Sequence, residues 1–225
     1  MTVDVLLGAP GAGKGTQAPV LAKHLDVPVL ASGDLLRAAV AAGTPLGREA
    51  DRYMSRGQLV PDETIVRVFL DRFKEPDAVA GAVLDGFPRT RVQAEALDRA
   101  LAAAGRRVDR TLFIDVATED LVKRMANRRI CTANGHVYNL ASNPPLVDAV
   151  CDIDGSEIVQ RPDDNEETVR ARMKEQIPPL LEVVDYYRKQ GVLQTVDGRE
   201  PISDVSARLL RALEVAPGQV STLPW

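Results

Sequence analysis

Nine residues near the start of the chain, Gly8-Ala9-Pro10-Gly11-Ala12-Gly13-Lys14-Gly15-Thr16, constrain its fold more than any other segment. They read G-x-x-x-x-G-K-x-T, a phosphate loop with one glycine inserted between the lysine and the hydroxyl residue. The apolar run 3–7 precedes them and helix-like sequence over 13–25 follows, which is the strand–turn–helix setting that a phosphate loop needs. The glycines let the backbone curl so that successive N–H groups point inward at phosphate oxygens. The following helix adds its positive N-terminal end. Lys14 is then placed to reach β- and γ-phosphates, and Thr16 to orient Mg²⁺ or its waters. A glycine-rich turn can also be purely structural, but the strand before it and the helix after it favour phosphate. Such a loop marks a nucleoside triphosphate site and leaves the reaction open.

Further short strands are expected at 27–31, 82–84, 111–116 and 192–196, each a compact apolar or β-branched run. Helical periodicity lies between them. Ser32 is expected as an N-cap, with the helix after it stopping at Gly43. Ile65, Phe69 and Phe73 share one helix face, and Val92, Ala96, Ala100 and Leu101 another. Two more helices are expected over 166–190 and 202–213, the first bent or interrupted at Pro178-Pro179. Alternating strands and helices predict an α/β fold with a parallel five-stranded sheet flanked by helices. The segment 130–164 breaks that alternation. It is rich in Gly, Pro, Asn and Asp yet carries Val137, Tyr138, Leu140, Ile153, Ile158 and Val159, so a small β-rich insert is expected, not a tether. The stretch 217–225 reads as a loose tail.

The formal net charge of −4 argues against a duplex nucleic-acid binder, which would usually be basic. No window approaches the ~20 apolar residues of a membrane span, and no signal-peptide pattern is visible, so the cytoplasm is the expected compartment. Only two cysteines are present, Cys131 and Cys151, too few for a disulfide scaffold in 225 residues. Arginine outnumbers lysine 22 to 6. Guanidinium forks suit bidentate phosphate contacts, although codon usage alone can produce such a bias.

Five segments together carry a resemblance to the adenylate kinases: residues 8–16, Ser32-Gly33-Asp34-Leu35-Leu36-Arg37, Gln58-Leu59-Val60, Asp85-Gly86-Phe87-Pro88-Arg89-Thr90 and Arg161-Pro162-Asp163-Asp164. They resemble that family's markers in order and separation over about residues 3–214, and the insert is similar in length to the long-lid bacterial form. The resemblance implies reversible transfer of the ATP γ-phosphoryl group to AMP, giving two ADP, with Mg²⁺. It implies a P-loop core of residues 1–31, 61–124 and 165–225, a helical AMP-binding flap over 32–60 and a lid over 125–164. A monomer binding ATP, AMP and ADP, with no nucleic-acid or membrane partner, is the expectation.

By the same resemblance the ATP side comprises Gly11, Ala12, Gly13, Lys14, Gly15, Thr16, Arg124, Arg128, Val137, Tyr138 and Glu200. The donor base is expected against backbone near residues 198–201. The AMP side comprises Ser32, Arg37, Gln58, Leu59, Val60, Gly86, Phe87, Pro88, Arg89, Gln93, Arg161 and Arg172. Lys14, Asp85, Arg89, Arg124, Arg161 and Arg172 are the expected catalytic set. Asp85 ends a strand, where a carboxylate can hold Mg²⁺ through water, although Asp-Gly also favours a plain turn. Gln93 can pair with the donor and acceptor on an edge of adenine in the bidentate way that an amide does. Any one arginine would read as a solvated surface charge; six at matching positions do not. Arg99, Arg106, Arg107 and Arg110 receive no role.

No His-Asp or Cys-His nucleophile system is visible, in keeping with a phosphate acceptor that needs no general base. Within the insert, Cys131, Asn134, His136, Cys151 and Asp154 leave three arrangements open: a structural Zn²⁺ held by Cys131, His136, Cys151 and Asp154, a metal-free polar cluster, or a disulfide. The polar cluster is the expectation, since asparagine is a poor zinc ligand. The rival functions are a kinase of UMP or CMP, a GTP:AMP enzyme, and a nucleotide sensor without catalysis. An Asn-Lys-x-Asp guanine-reading motif is absent from the sequence, which excludes a switch GTPase of the usual kind.

Overall fold

A computed structural model describes residues 2–54, 60–160 and 164–214, with backbone alone for Met54. Strand β1 (Thr2–Leu7) is the middle of a five-stranded parallel sheet. It pairs with β3 (Gly81–Asp85) on one side and β4 (Arg110–Asp115) on the other. Strand β2 (Val29–Ala31) adds beyond β3, and β8 (Leu193–Asp197) beyond β4. Nearly every residue of β1, β3 and β4 is buried, as a parallel sheet covered on both faces requires. The expected strands therefore form, with ends displaced by one or two residues.

Helix α1 (Lys14–Leu25) packs on β1 and β3 and against α8 (Ile202–Glu214). Helix α5 (Arg91–Ala103) packs against α4 (Asp62–Arg72) and α7 (Glu166–Lys189), which also meets α6 (Thr118–Ala126). Helices α2 (Ser32–Ala41) and α3 (Pro45–Met54) form a hairpin between β2 and α4. The insert carries an antiparallel sheet in the order β6 (Val137–Asn139), β5 (Arg128–Cys131), β7 (Ile158–Val159).

Among the described residues apolar burial falls into three clusters. The largest joins the parallel sheet to its helices. A second gathers Leu36, Leu46, Ala50, Val60 and Val68 in and beside the helical hairpin. The third, Cys131, Tyr138, Cys151 and Ile158, belongs to the insert alone.

Three local expectations are corrected. Ser32 is the first helical residue of α2, not its cap; Ala31 occupies the cap position, and the Ser32 hydroxyl donates to the Gly86 carbonyl at 3.1 Å. Helix α7 runs unbroken through Pro178 and Pro179. Packing of Val183, Val184 and Tyr187 into the main core beyond the prolines outweighs the local loss of hydrogen bonds. Val92 is 59% exposed; the buried face of α5 is Gln93, Ala94, Leu97 and Leu101.

Candidate active site

In parallel α/β sheets ligands bind beyond the carboxyl ends of the strands. Here β1 ends at Leu7, one residue before Gly8, and β3 ends at Asp85, which pairs with Leu6 in register. The phosphate loop and the Asp85 carboxylate thus emerge side by side. The loop turns through Gly11 and Gly13 at φ of 84° and 99°, values that side chains disfavour, and Gly13 caps α1. Ala12 is buried beneath it, while Gly15 and Thr16 lie exposed at its mouth.

Lys14 folds back over the loop and donates from Nζ to the carbonyls of Gly8 at 2.7 Å and Ala9 at 3.2 Å. Burial lowers its pKa to about 8; the Asp85 charge opposes this, while Arg89, Arg128 and Arg172 reinforce it. These cations come from the turn after β3, from β5 and from α7. Burial pushes the Asp85 carboxyl up, and the charges of Lys14 and Arg89 pull it back. A Cβ on Gly15 would lie 4.0 Å from Asp85 Oδ2, so the carboxylate faces the first turn of α1. Carboxylate and hydroxyl oxygens at one mouth are the hard donors that suit Mg²⁺.

On the opposite side, Ser32 is buried to 6% exposure, and its Oγ lies 3.4 Å from an Arg89 terminal nitrogen. Arg89 Nε donates to the Gly86 carbonyl at 2.8 Å. Gly86 turns at φ 71°, and Phe87 stacks on Phe69 with centroids 4.2 Å apart. Phe87 is thus a core side chain, 1% exposed. Gln93 is 4% exposed; its Oε1 accepts from the Arg89 N–H and its Nε2 donates to Asp62 Oδ1, each at 2.7 Å. Val60 is buried in the hairpin cluster. Arg37 is exposed and paired with Asp34. Gln58, Leu59 and Arg161 lie outside the described residues.

Arg124, on α6, donates to the Gly198 carbonyl at 2.7 Å, in the loop expected to hold the donor base. Glu200 in that loop pairs with Arg208. Arg128 grips the fully buried Asp164 through Nε at 2.8 Å and a terminal nitrogen at 2.6 Å. Arg172 is half-buried on α7. Val137 is exposed, whereas the Tyr138 ring is 5% exposed inside the insert's own core. Asp62 had no place in the sequence reading, and Asp164 entered it only as the last residue of the 161–164 segment, without a role of its own. Asp62 follows Pro61 and reads as a helix-start acid; only the approach of α4 to α5 shows its partner.

Both cysteines are free thiols. Cys131, His136, Cys151 and Asp154 offer ligand atoms that all lie within 4.8 Å of one another. His136 Nδ1 is 3.3 Å from Cys151 Sγ and 3.3 Å from Asp154 Oδ2, and Cys131 Sγ is 3.3 Å from the same Oδ2. Bonds of ~2.0–2.3 Å in a tetrahedral zinc site put ligand atoms ~3.3–3.8 Å apart, so the set fits that ion. Asn134 donates to Asp154 at 2.8 Å, as an orienting neighbour of a ligand does.

The parallel sheet with a phosphate loop on its central strand defines a P-loop nucleotide-binding α/β protein. The adenylate kinase family model matches residues 6–192. The chain is 47% identical over 213 residues to an adenylate kinase of Streptomyces griseus, covering 94% of this chain and 97% of that protein. It is 46% identical over 212 residues to one of Lachnospira eligens, covering 93% and 98%, and 45% identical over 210 residues to one of Staphylococcus aureus, covering 93% and 98%. The chain belongs to the adenylate kinase family.

Proposed function

We propose that the chain catalyses reversible, Mg²⁺-dependent transfer of the ATP γ-phosphoryl group to AMP, giving two ADP and so balancing the adenine nucleotides. The observation that carries this reading is the convergence on Lys14 of one carboxylate and three arginines from separate elements. Residues 11–16 cradle the ATP phosphates with Lys14 on the β- and γ-groups. Arg124, Arg128, Val137, Tyr138 and Glu200 complete the ATP side, and ATP is the donor in preference to GTP. Ser32, Arg37, Gln58, Leu59, Val60, Gly86, Phe87, Pro88, Arg89, Gln93, Arg161 and Arg172 hold AMP. Mg²⁺, held from Asp85 through water with Thr16 nearby, neutralises developing charge on the phosphate oxygens when bound.

The AMP phosphate has a second pKa of about 6, so it arrives largely deprotonated and needs no base. That fits the two histidines: His24 is exposed on α1 and His136 sits in the insert cluster. What the protein supplies is alignment and cations. Lys14 and the arginines offset the repulsion between two anionic groups brought into line. Water is a competing acceptor, so the site must close during transfer. Residues 32–60 act as the AMP flap and 125–164 as the lid over a core of residues 1–31, 61–124 and 165–225; the separate hydrophobic clusters support that division. A monomer in the cytoplasm is the working state. Among the described residues no helix is long and apolar enough to cross a membrane.

The insert cluster is proposed to hold one Zn²⁺ through Cys131, His136, Cys151 and Asp154, pinning the lid's loops as a structural ion. Its ligand-like spacing favours this over the metal-free polar cluster.

Phosphorus NMR of the protein with Mg·ATP and each of AMP, GMP, CMP and UMP tests the activity. ADP formation with AMP alone, reversible from ADP and abolished in Lys14→Ala, is expected. Faster transfer to UMP or CMP would overturn the acceptor assignment, and no transfer to any of them would overturn catalysis.

A further inference from the structure

Resting on the reading of Gln93 as the adenine contact, we propose that Asp62 is a specificity-determining positioning residue: it locks the polarity of the Gln93 amide so that the acceptor site takes an adenine edge and rejects a 6-oxopurine. An amide can flip end for end, exchanging donor and acceptor, and only its neighbours decide the orientation. Both neighbours here are one-way groups. The Arg89 backbone N–H can only donate, and it meets Oε1 at 2.7 Å. The Asp62 carboxylate, an acceptor, meets Nε2 at 2.7 Å. A flipped amide would set oxygen against carboxylate oxygen and N–H against N–H. With Gln93 only 4% exposed, water cannot make good either loss.

Asp62 is itself held in place. It is the first residue of α4, directly after Pro61 at the cap position, where the helix dipole favours a carboxylate. Its Oδ2 lies 3.4 Å from the Thr90 hydroxyl, which donates to it. That hydroxyl also caps α5 by accepting from the Gln93 backbone N–H at 3.2 Å. One carboxylate thus ties the first turns of α4 and α5 together around the amide.

The consequence follows from counting donors and acceptors. The amide nitrogen has two hydrogens and the oxygen two lone pairs; the protein uses one of each. One N–H and one lone pair remain for a ligand, in fixed order. Adenine presents a ring-nitrogen acceptor beside an exocyclic amine donor, and the remaining pair matches both. Hypoxanthine and guanine present a ring N–H beside a carbonyl oxygen, the reverse order, so both contacts become repulsive. Free to flip, the same glutamine would serve either base. Discrimination therefore resides in Asp62 as much as in Gln93.

The test compares AMP with inosine monophosphate, which differs only at that edge, using kcat/KM for each at saturating Mg·ATP. Asp62→Asn keeps the shape but can donate as well as accept. It should narrow the AMP-to-inosine-monophosphate ratio by about tenfold or more, in line with what a matched bidentate pair contributes to base discrimination. The change should lie mainly in KM. Asp62→Glu retains a carboxylate and should keep the ratio near that of the parent, even where melting temperature falls equally in both variants. An unchanged ratio in Asp62→Asn, or equal narrowing in both, overturns the proposal and leaves Asp62 a structural tie. Gln93→Ala separates the two levels: it should raise KM for AMP, and an unchanged KM would overturn the pocket assignment itself.

Discussion

Replacing Asp4 should make the protein more stable, and increasingly so as pH rises. Asp4 lies inside β1, the central strand, at 1% exposure, and among the described residues neither carboxylate oxygen has a hydrogen-bond partner. Arg110 stands 3.7 Å away, past good hydrogen-bond reach, so it acts mainly through its charge. Burial raises the Asp4 pKa from 3.8 to about 7, with Arg110 opposing and Asp109 reinforcing. The folded state therefore holds a proton that the unfolded chain has released between roughly pH 4 and pH 7. Stability falls across that window as pH rises, the reverse of an ion-paired carboxylate. A shift of about three units corresponds to about 4 kcal/mol in full, of which roughly 2.5 kcal/mol develops between pH 5 and pH 8. Asp4→Asn has the same shape and no titration. In urea unfolding at pH 5, 6, 7 and 8, its stability relative to the parent should rise by about that amount over the range. Parallel pH curves for parent and variant would show that Asp4 is not a strained, titrating group. A variant that loses ground as pH rises would mean that Arg110 makes the buried pair favourable after all.

Three other outcomes are expected. Gly47→Ala should destabilise the α2–α3 hairpin by about 1–3 kcal/mol, since its Cβ would stand 1.9 Å from the Ala39 carbonyl oxygen, a backbone atom; a raised KM for AMP with KM for ATP unchanged would register it. Protein purified without chelator should carry one equivalent of zinc by elemental analysis, and chelation or Cys131→Ser should remove the ion and lower the melting temperature. Because Lys14 has a pKa of about 8 that phosphate charge will raise, ATP binding should take up ~0.7 proton at pH 8.5 and ~0.1 at pH 7, read by calorimetry in buffers of different ionisation enthalpy. Equal uptake at both pH values would remove Lys14 from the linkage.

The parallel sheet was legible because its strands are short buried runs, and burial on both faces writes itself as unbroken hydrophobicity. Strand ends were less legible, since register is settled by neighbours: Gly81 joins β3 because Thr2 lies opposite it. Ser32 carries the residue type of a helix cap, yet its hydroxyl is drawn to Gly86, 54 positions away. The prolines of α7 follow a local rule that tertiary packing overrides. At the site, residue types were readable and pairings were not. Asp62 and Gln93 stand 31 positions apart, and neither carries a motif that points to the other. The insert's cysteines show the same divide. Four candidate ligands could be named in the sequence, but only the turns around 131–136 and 151–154 bring their atoms to zinc-like spacing.

The proposed phosphate-binding cations do not wait unpaired for nucleotide. Lys14 rests on the carbonyls of Gly8 and Ala9, Arg89 on that of Gly86, and Arg124 on that of Gly198. Each placeholder is a neutral carbonyl close to where a phosphate or base would arrive. Exchanging it for an anionic oxygen replaces a charge–dipole contact with a stronger charge–charge one, so the exchange runs toward the nucleotide. Arg128 differs, because its partner Asp164 is itself anionic and fully buried, and removing the arginine would strand that charge. Arg128 should therefore keep Asp164 and offer a phosphate only its remaining terminal nitrogen. Since Arg128 opens β5 and Asp164 leads into α7, the pair fastens the two chain crossings at the base of the insert proposed as the lid. Under the proposed closure the insert would swing as a unit with its root still fastened.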